Sequence, residues 1–193
     1  MIHTMKDRSS RLSLAEDLIR RYIRQTGITN EEGDPARRYL WTDAFAMQSL
    51  FALANITGSE EYNTHALEVM NAVHWHLGRH REDDPRTGWI SGLNEKEGAE
   101  HPTRGGLRIG KRLPERKPGE PVNEHLEWER DGQYFHYLTR WVNALLTAAE
   151  ETDNSRYTRW AAELILAGRN FIVNMDGRLH MYWKMSIFAE SRI

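Results

Sequence analysis

The stretch Glu124–Glu150, EHLEWERDGQYFHYLTRWVNALLTAAE, decides how this chain is read. It opens on carboxylates and aromatics and runs without a break into a strongly patterned helix, expected at roughly 131–150. Ninety-five residues earlier, Trp41–Ile56 predicts a second helix of the same kind, with only Gln48 and Ser49 polar between Ala44 and Ala54. A helix so apolar on every side is expected to be surrounded by protein. Thr42 reads as its N-cap, and Asp43 complements its N-terminal dipole. Each helix is followed by a short polar turn and an amphipathic partner, one ending near Gly78 and the other spanning 154–174.

The two halves match in register. At an offset of 95, Leu50 meets Leu145, Ala54 meets Ala149, Thr57 meets Thr152, Tyr62 meets Tyr157, Ala66 meets Ala161 and Glu68 meets Glu163. Repeated hairpins of this sort describe an inner and an outer helical layer. A leading amphipathic helix at 11–26 carries Leu12, Ala15, Leu18, Ile19, Tyr22 and Ile23 on one stripe. The sequence therefore predicts an all-α chain, helical hairpins in two layers, toroid-like and incomplete. The expected layout is one domain over 1–193: leading helix and first hairpin at 11–78, long loop at 79–123, second hairpin at 124–174, and the start of a further hairpin at 175–193. The loop is rich in proline and glycine, and a loop of that length is functional or mobile as a rule. Short strands are expected in it at Trp89-Ile90 and Leu107–Ile109.

Composition excludes several classes of function. A net charge of −2 over 193 residues provides no global attraction to nucleic acid or anionic membrane. Without cysteine there is no disulfide, thiolate metal site or cysteine nucleophile. The polar N-terminus MIHTMKDRSSR has no apolar leader, and no run reaches membrane-spanning length, so a cytoplasmic protein is expected. His74 and His76 stand two apart on a helix and point to opposite sides, and no zinc spacing occurs, so no metal is expected. Gly105–Lys111 imitates the start of a phosphate-binding loop, but Arg112 stands where Mg²⁺ ligation needs Ser or Thr, and Pro114 opposes the helix that should follow. No cofactor is predicted.

Three segments, Tyr39–Phe45, Gly132–Leu138 and Met181–Met185, set aromatic residues at inner-helix starts. In this layout, over about residues 35–187, the chain resembles the six-hairpin, or (α/α)-toroid, glycosidase-like superfamily. The resemblance implies inner helices opening on a central pocket, and a carbohydrate small molecule or oligosaccharide as partner. Six hairpins need about twice this length, and the apolar run Met181–Phe188 has nothing after it to cover it. A truncated reading frame, the preferred account, or a homo-oligomer covering that run would explain the difference.

Four carboxylates, Glu124, Glu127, Glu129 and Asp131, crowd into eight positions. Crowding raises carboxyl pKa values, and such a pair can supply an acid and a base; acidic residues also gather at helix N-termini simply because the dipole favours them. A glycoside hydrolase would draw on Glu127, Glu129 and Asp131 from one side and Asp43 from another. A sugar epimerase would instead use His136 and His180. Trp41, Trp128, Tyr134 and Trp183 would form the sugar platform, with Arg38, Tyr39, Gln133, Tyr137, Arg140 and Tyr182 as further substrate-binding candidates. The polar stripe Gln133, His136, Arg140, Asn143, Thr147 suits a wet cavity or an exposed face. The basic loop Arg104–Lys117 reads as a solvated charge run, or as a grip on the carboxylates or on an anionic sugar. A non-catalytic helical-repeat binding module and an inactive fragment are the competing classes.

Overall fold

The computed structural model describes residues 2–28, 34, 36–117 and 119–187, with the side chains of the first helix described from residue 9. Among these residues the long helices are α1 (Ile2–Gln25), α2 (Leu40–Thr57), α3 (Glu60–Leu77), α6 (Phe135–Thr152) and α7 (Ser155–Gly168). Two short ones, α4 (Glu95–Glu100) and α5 (Glu124–Glu127), lie in the connection between the halves. The helices α2 and α6 are 18 residues each, and their bounds stand 95 positions apart at both ends. Each starts after a tyrosine in extended backbone, Tyr39 (φ −138°) and Tyr134 (φ −110°). Each stops on a left-handed residue, Gly58 (φ 73°) and Asp153 (φ 50°), which turns the chain into α3 or α7. The helix pairs α2–α3 and α6–α7 pack as hairpins, and α2 also packs on α6. Their shared core includes Met47, Leu50, Phe51, Trp141, Leu145 and Leu164.

The chain is nevertheless not an all-α, toroid-like stack. It contains two antiparallel two-stranded sheets, β1 (Gln133–Tyr134) with β4 (Lys184–Met185), and β2 (Ile172–Met175) with β3 (Arg178–Met181). The helix expected to reach residue 174 ends at Gly168 and passes through a 3₁₀ turn, Arg169–Phe171, into β2. The reason is local. Ile172 and Val173 favour extended backbone, and Asp176-Gly177 takes consecutive positive φ angles of 53° and 78°. That two-residue turn matches the right-handed twist of the flanking strands, so the chain folds into a β-hairpin.

Other expectations also change. Helix α2 begins at Leu40 rather than after Thr42, whose hydroxyl donates to the Tyr39 carbonyl at 3.0 Å. It is not enclosed on all sides: Phe45 and Ile56 are exposed, and Ser49, Ala52, Leu53 and Ile56 form an open apolar groove against Leu12, Ala15, Leu18 and Ile19 of α1. The run Met181–Ile187 is partly covered by the chain itself. Lys184-Met185 pairs with Gln133-Tyr134, and Met185 and Ile187 are buried, while Met181 and Trp183 are exposed. Phe188 and the residues after it lie outside the described residues. No helix among the described residues is long and apolar enough to cross a membrane.

The long connection is a packed layer rather than an open loop. Trp89, Ile90, Leu107 and Ile109 are buried, and Trp89 bridges to Arg79. Residues 107–109 are not a strand; their backbone joins three elements. Arg108 N donates to Leu77 O (2.9 Å), Ile109 N to Gly132 O (2.8 Å), and Ile109 O accepts from Leu40 N (3.1 Å). Farther along α7, Thr103 Oγ1 donates to Trp160 O at 2.8 Å, and Trp160 Nε1 donates to Glu100 O at 2.8 Å. These bonds bring the connection against the starts of α2 and α6, where the aromatic residues collect.

Candidate functional site

Tyr39 and Tyr134 stand at equivalent positions before α2 and α6, and the packing of those helices brings their surroundings together. The Tyr39 and Tyr137 hydroxyls share a hydrogen bond of 2.5 Å. The Trp41 ring lies 5.0 Å from Tyr137 and 5.8 Å from His136. Tyr134 stacks on His136 at 5.4 Å with an interplanar angle of 16°. Phe135 N donates to Trp183 O at 3.1 Å, which hangs Trp183 over the start of α6. There Trp183 meets Tyr134 at 5.1 Å and Trp128 at 4.8 Å. The result is a continuous aromatic wall running from Phe45 and Trp41 to Trp128. Arg140 closes one end, its guanidinium 4.7 Å from the Phe45 ring and 5.5 Å from Trp41. Phe45, Trp128 and Trp183 keep 40%, 56% and 47% of their surface exposed, so the wall presents apolar ring faces to a ligand.

A cavity of about 860 Å³ adjoins the wall at Tyr39. Asp43 and Glu129 both line it, together with Arg37, Arg38, Lys111 and Arg112. Asp43 is buried at the start of α2; it accepts from the Tyr22 hydroxyl and, at 3.1 Å, from Tyr39 N. That reach-back works like half of a capping box, since Tyr39 has no side chain able to cap the helix. Burial pushes the Asp43 carboxyl above the usual range, opposed by Arg38, whose Nε stands 3.9 Å away. Burial also pushes the Tyr22 phenol up, reinforced by Asp43, and lowers the His136 imidazole. The Tyr134 phenol is raised to about 12, again mainly by burial, and its oxygen has no hydrogen-bond partner among the described residues.

Several residues expected in the site have other work. Asp131 is wholly buried and accepts from Arg108 Nη1, Gly110 N (2.9 Å), Lys111 N (3.3 Å) and Gly132 N (3.1 Å). Its lone pairs are spent on holding the connection, leaving none to move a substrate proton. Glu127 pairs with Arg116 (3.1 Å) and Lys184 (3.5 Å) and so ties α5 to β4. Gln133 is buried and donates to Gly105 O (3.1 Å) and Ile187 O (3.2 Å). Arg38 donates to Thr26 O at 2.8 Å, joining the end of α1 to the start of α2. Tyr182 is half-buried beneath the β2–β3 hairpin, its N–H on Phe171 O at 2.9 Å. His180 is exposed on β3 and has no ring contact with the wall among the described residues. On α6 the polar stripe is an outer face, with His136 and Asn143 exposed.

The wall thus keeps Tyr39, Trp41, Trp128, Tyr134, His136, Tyr137, Arg140 and Trp183, and the cavity keeps Asp43 and Glu129. Sequence reasoning missed Tyr22, which reads as one more apolar residue on the α1 stripe, and Arg37 and Phe45. Phe45 could have been found from its place one turn beyond Trp41 on the same helix face. Among the described residues no group of three or more His, Asp or Glu is arranged to hold a metal ion. No protein-family model, curated protein or solved structure matches this chain.

The cavity rim depends on one glycine. Gly110 has φ 87°, and a Cβ there would stand 2.1 Å from the Arg38 carbonyl oxygen. Gly110→Ala combines a left-handed strain with a backbone clash, and about 2–3 kcal/mol of stability should be lost. Urea denaturation measures this; a wild-type midpoint would show that the Arg38–Gly110 contact is not as tight as described.

Proposed function

We propose that this protein binds carbohydrate, with the saccharide lying along the aromatic wall. The observation that carries the reading is the wall itself: Trp41, Tyr137, His136, Tyr134, Trp183 and Trp128 in unbroken ring-to-ring contact, with Trp183 and Trp128 exposed. The C–H faces of a pyranose are apolar and suit such a surface, and phenol, indole and guanidinium groups around the rim serve the hydroxyls. Fixed ring-to-ring packing means that little side-chain entropy is lost on binding.

Trp183→Ala should weaken oligosaccharide binding at least tenfold, roughly the cost of removing a central aromatic anchor. Isothermal titration against a panel of oligosaccharides reads the affinity, and the thermal midpoint should stay near wild type because Trp183 is half-exposed. Unchanged affinity for every ligand that binds would remove the wall from the site.

A hydrolytic reading is favoured by a separate observation, that Asp43 and Glu129 line one cavity which reaches the wall at Tyr39. The exposed Glu129 would be the base or nucleophile; Asp43 would donate a proton to the glycosidic oxygen only after exchanging the Tyr22 and Tyr39 donors that engage both of its oxygens. An exchange of protons between His136 and His180 finds no such support, since the two sit on separate elements without a shared contact among the described residues.

A further inference from the structure

We propose that the ligand of this cavity is an acidic saccharide, carrying a carboxylate, sulfate or phosphate that is held by Arg37, Lys111 and Arg112. The inference rests on the saccharide reading of the wall and adds the charge of the substrate to it.

The cavity beside Tyr39 is lined by four cations and two carboxylates. Arg38 and Asp43 answer each other inside the protein. That leaves Arg37, Lys111 and Arg112 against Glu129, and none of the three cations has an ionic partner among the described residues. A second cavity, about 550 Å³, opens on the other side of the same ridge and shares these three residues. The further arginines there are already committed: Arg79 to Glu95 (2.6 and 2.8 Å), Arg81 to Asp83 (2.6 and 2.9 Å), and Arg108 to Asp131. The second cavity is also lined by Asp34, Glu82 and Asp83, but none of these stands within ion-pair distance of Arg37, Lys111 or Arg112, whereas Arg79, Arg81 and Arg108 each have a carboxylate partner. Arg37 and Arg112 are exposed and Lys111 is half-buried, so the ridge presents its charge to solvent along a concave surface, which concentrates potential for an anion.

The ridge is also held in place for the purpose. Asp131 accepts the Gly110 and Lys111 N–H groups, and Arg81 donates to the Lys111 and Arg112 carbonyls at 2.7 and 2.9 Å. Asp131 is buried on these amides and on Arg108, and it makes no ion pair with the Lys111 or Arg112 side chains whose backbone it positions. The Lys111 Nζ stands 5.5 Å from the Tyr39 ring centroid. A single sugar ring resting on Tyr39 would therefore bring an acidic substituent to the ridge, where charge-assisted bonds form from Lys111 and a guanidinium fork.

The test is titration of the purified protein with matched oligosaccharides: a neutral glucan, xylan or galactan series, its uronate counterpart, sulfated and phosphorylated counterparts, and inorganic phosphate alone. The acidic member of a pair should bind at least about tenfold tighter than the neutral one, the scale of one charge-assisted bond. That advantage should shrink as salt is raised. In the Lys111→Gln, Arg112→Gln double variant the Kd of the acidic ligand should rise to that of the neutral one. Equal Kd values for neutral and acidic ligands in the wild type would overturn the inference and leave the saccharide reading standing. So would an acidic advantage that survives the double variant, or inorganic phosphate binding as tightly as the acidic sugar. If no saccharide binds, or if Trp183→Ala changes no Kd, the saccharide reading itself fails and this inference goes with it. Which acidic group binds best identifies the class of substituent.

Discussion

Asp131→Ala is expected to lower the stability of the protein by about 3–5 kcal/mol, the cost of stripping a buried ion pair of one partner. The side chain is wholly buried, and its two oxygens accept three backbone N–H groups and the Arg108 guanidinium, with Arg81 Nη1 a further 3.5 Å away. Removing it leaves Arg108, itself buried, with only the His76 and Arg79 carbonyls, and leaves the Gly110, Lys111 and Gly132 amides without their acceptor. Asp131→Asn keeps the shape but loses the charge and offers an N–H where an acceptor is needed, so it should recover only part of the loss. Equilibrium urea denaturation of the three proteins decides the matter. An Asp131→Asn protein with wild-type stability would show that the Asp131 charge does not hold the connection in place.

Acidification provides the second large effect. His74 is buried between Trp141 and Trp160, with ring centroids 5.7 and 4.9 Å away, and accepts from Trp141 Nε1 at 3.0 Å. Burial pushes its pKa from 6.5 down to about 3. Above pH 6.5 both folded and unfolded forms hold a neutral ring, and the stability tied to His74 is fully present. Below that, the unfolded chain binds a proton that the folded protein refuses, so stability falls with pH by about 1.4 kcal/mol per unit until about pH 3. His76 and His80 are lowered as well, chiefly by burial and then by neighbouring arginines, so the wild-type curve contains their contributions with the same sign. The His74→Gln protein isolates the effect. Its amide can still accept from Trp141 but does not titrate, so its stability between pH 7 and pH 4 should decline less steeply by nearly that slope. Parallel curves for the two proteins would show that His74 is protonated within the fold.

The repeat was legible because helix starts and stops are written locally. Tyr39 and Tyr134, the left-handed turns at Gly58 and Asp153, and the apolar spacing between them need no tertiary information to be matched. The β2–β3 hairpin was legible too, and missed. Asp176-Gly177 between apolar residues is a strong turn signal, but the 3.6-residue periodicity of α7 was continued through Phe171 and Ile172 into residues that prefer extended backbone. The site divides differently. The aromatic residues around Tyr39 and Tyr134 were visible as aromatic-rich helix starts, whereas Trp183, expected at a third helix start, lies between the strands β3 and β4. The roles of the carboxylates were not visible. Glu127, Glu129 and Asp131 occupy alternate places in sequence, yet one pairs with Lys184, one faces the cavity and one is wholly buried.

What the sequence determined by itself was the pair of helical hairpins, the positions of the aromatic rings before and within their first turns, and the want of cysteine and of net positive charge. Those follow from φ/ψ preference, side-chain spacing and composition, which act over a few residues. Only the tertiary structure decided that the proline- and glycine-rich connection is a packed layer, that Trp183 hangs over α6, and that Asp43 shares a cavity with Glu129 and an unpaired ridge of Arg37, Lys111 and Arg112. Burial and charge pairing between residues tens of positions apart depend on how the elements meet. A carboxylate acquires its role from the donors that reach it in space, and for Asp131 those come from residues 20 to 23 positions back along the chain as well as from its neighbour Gly132.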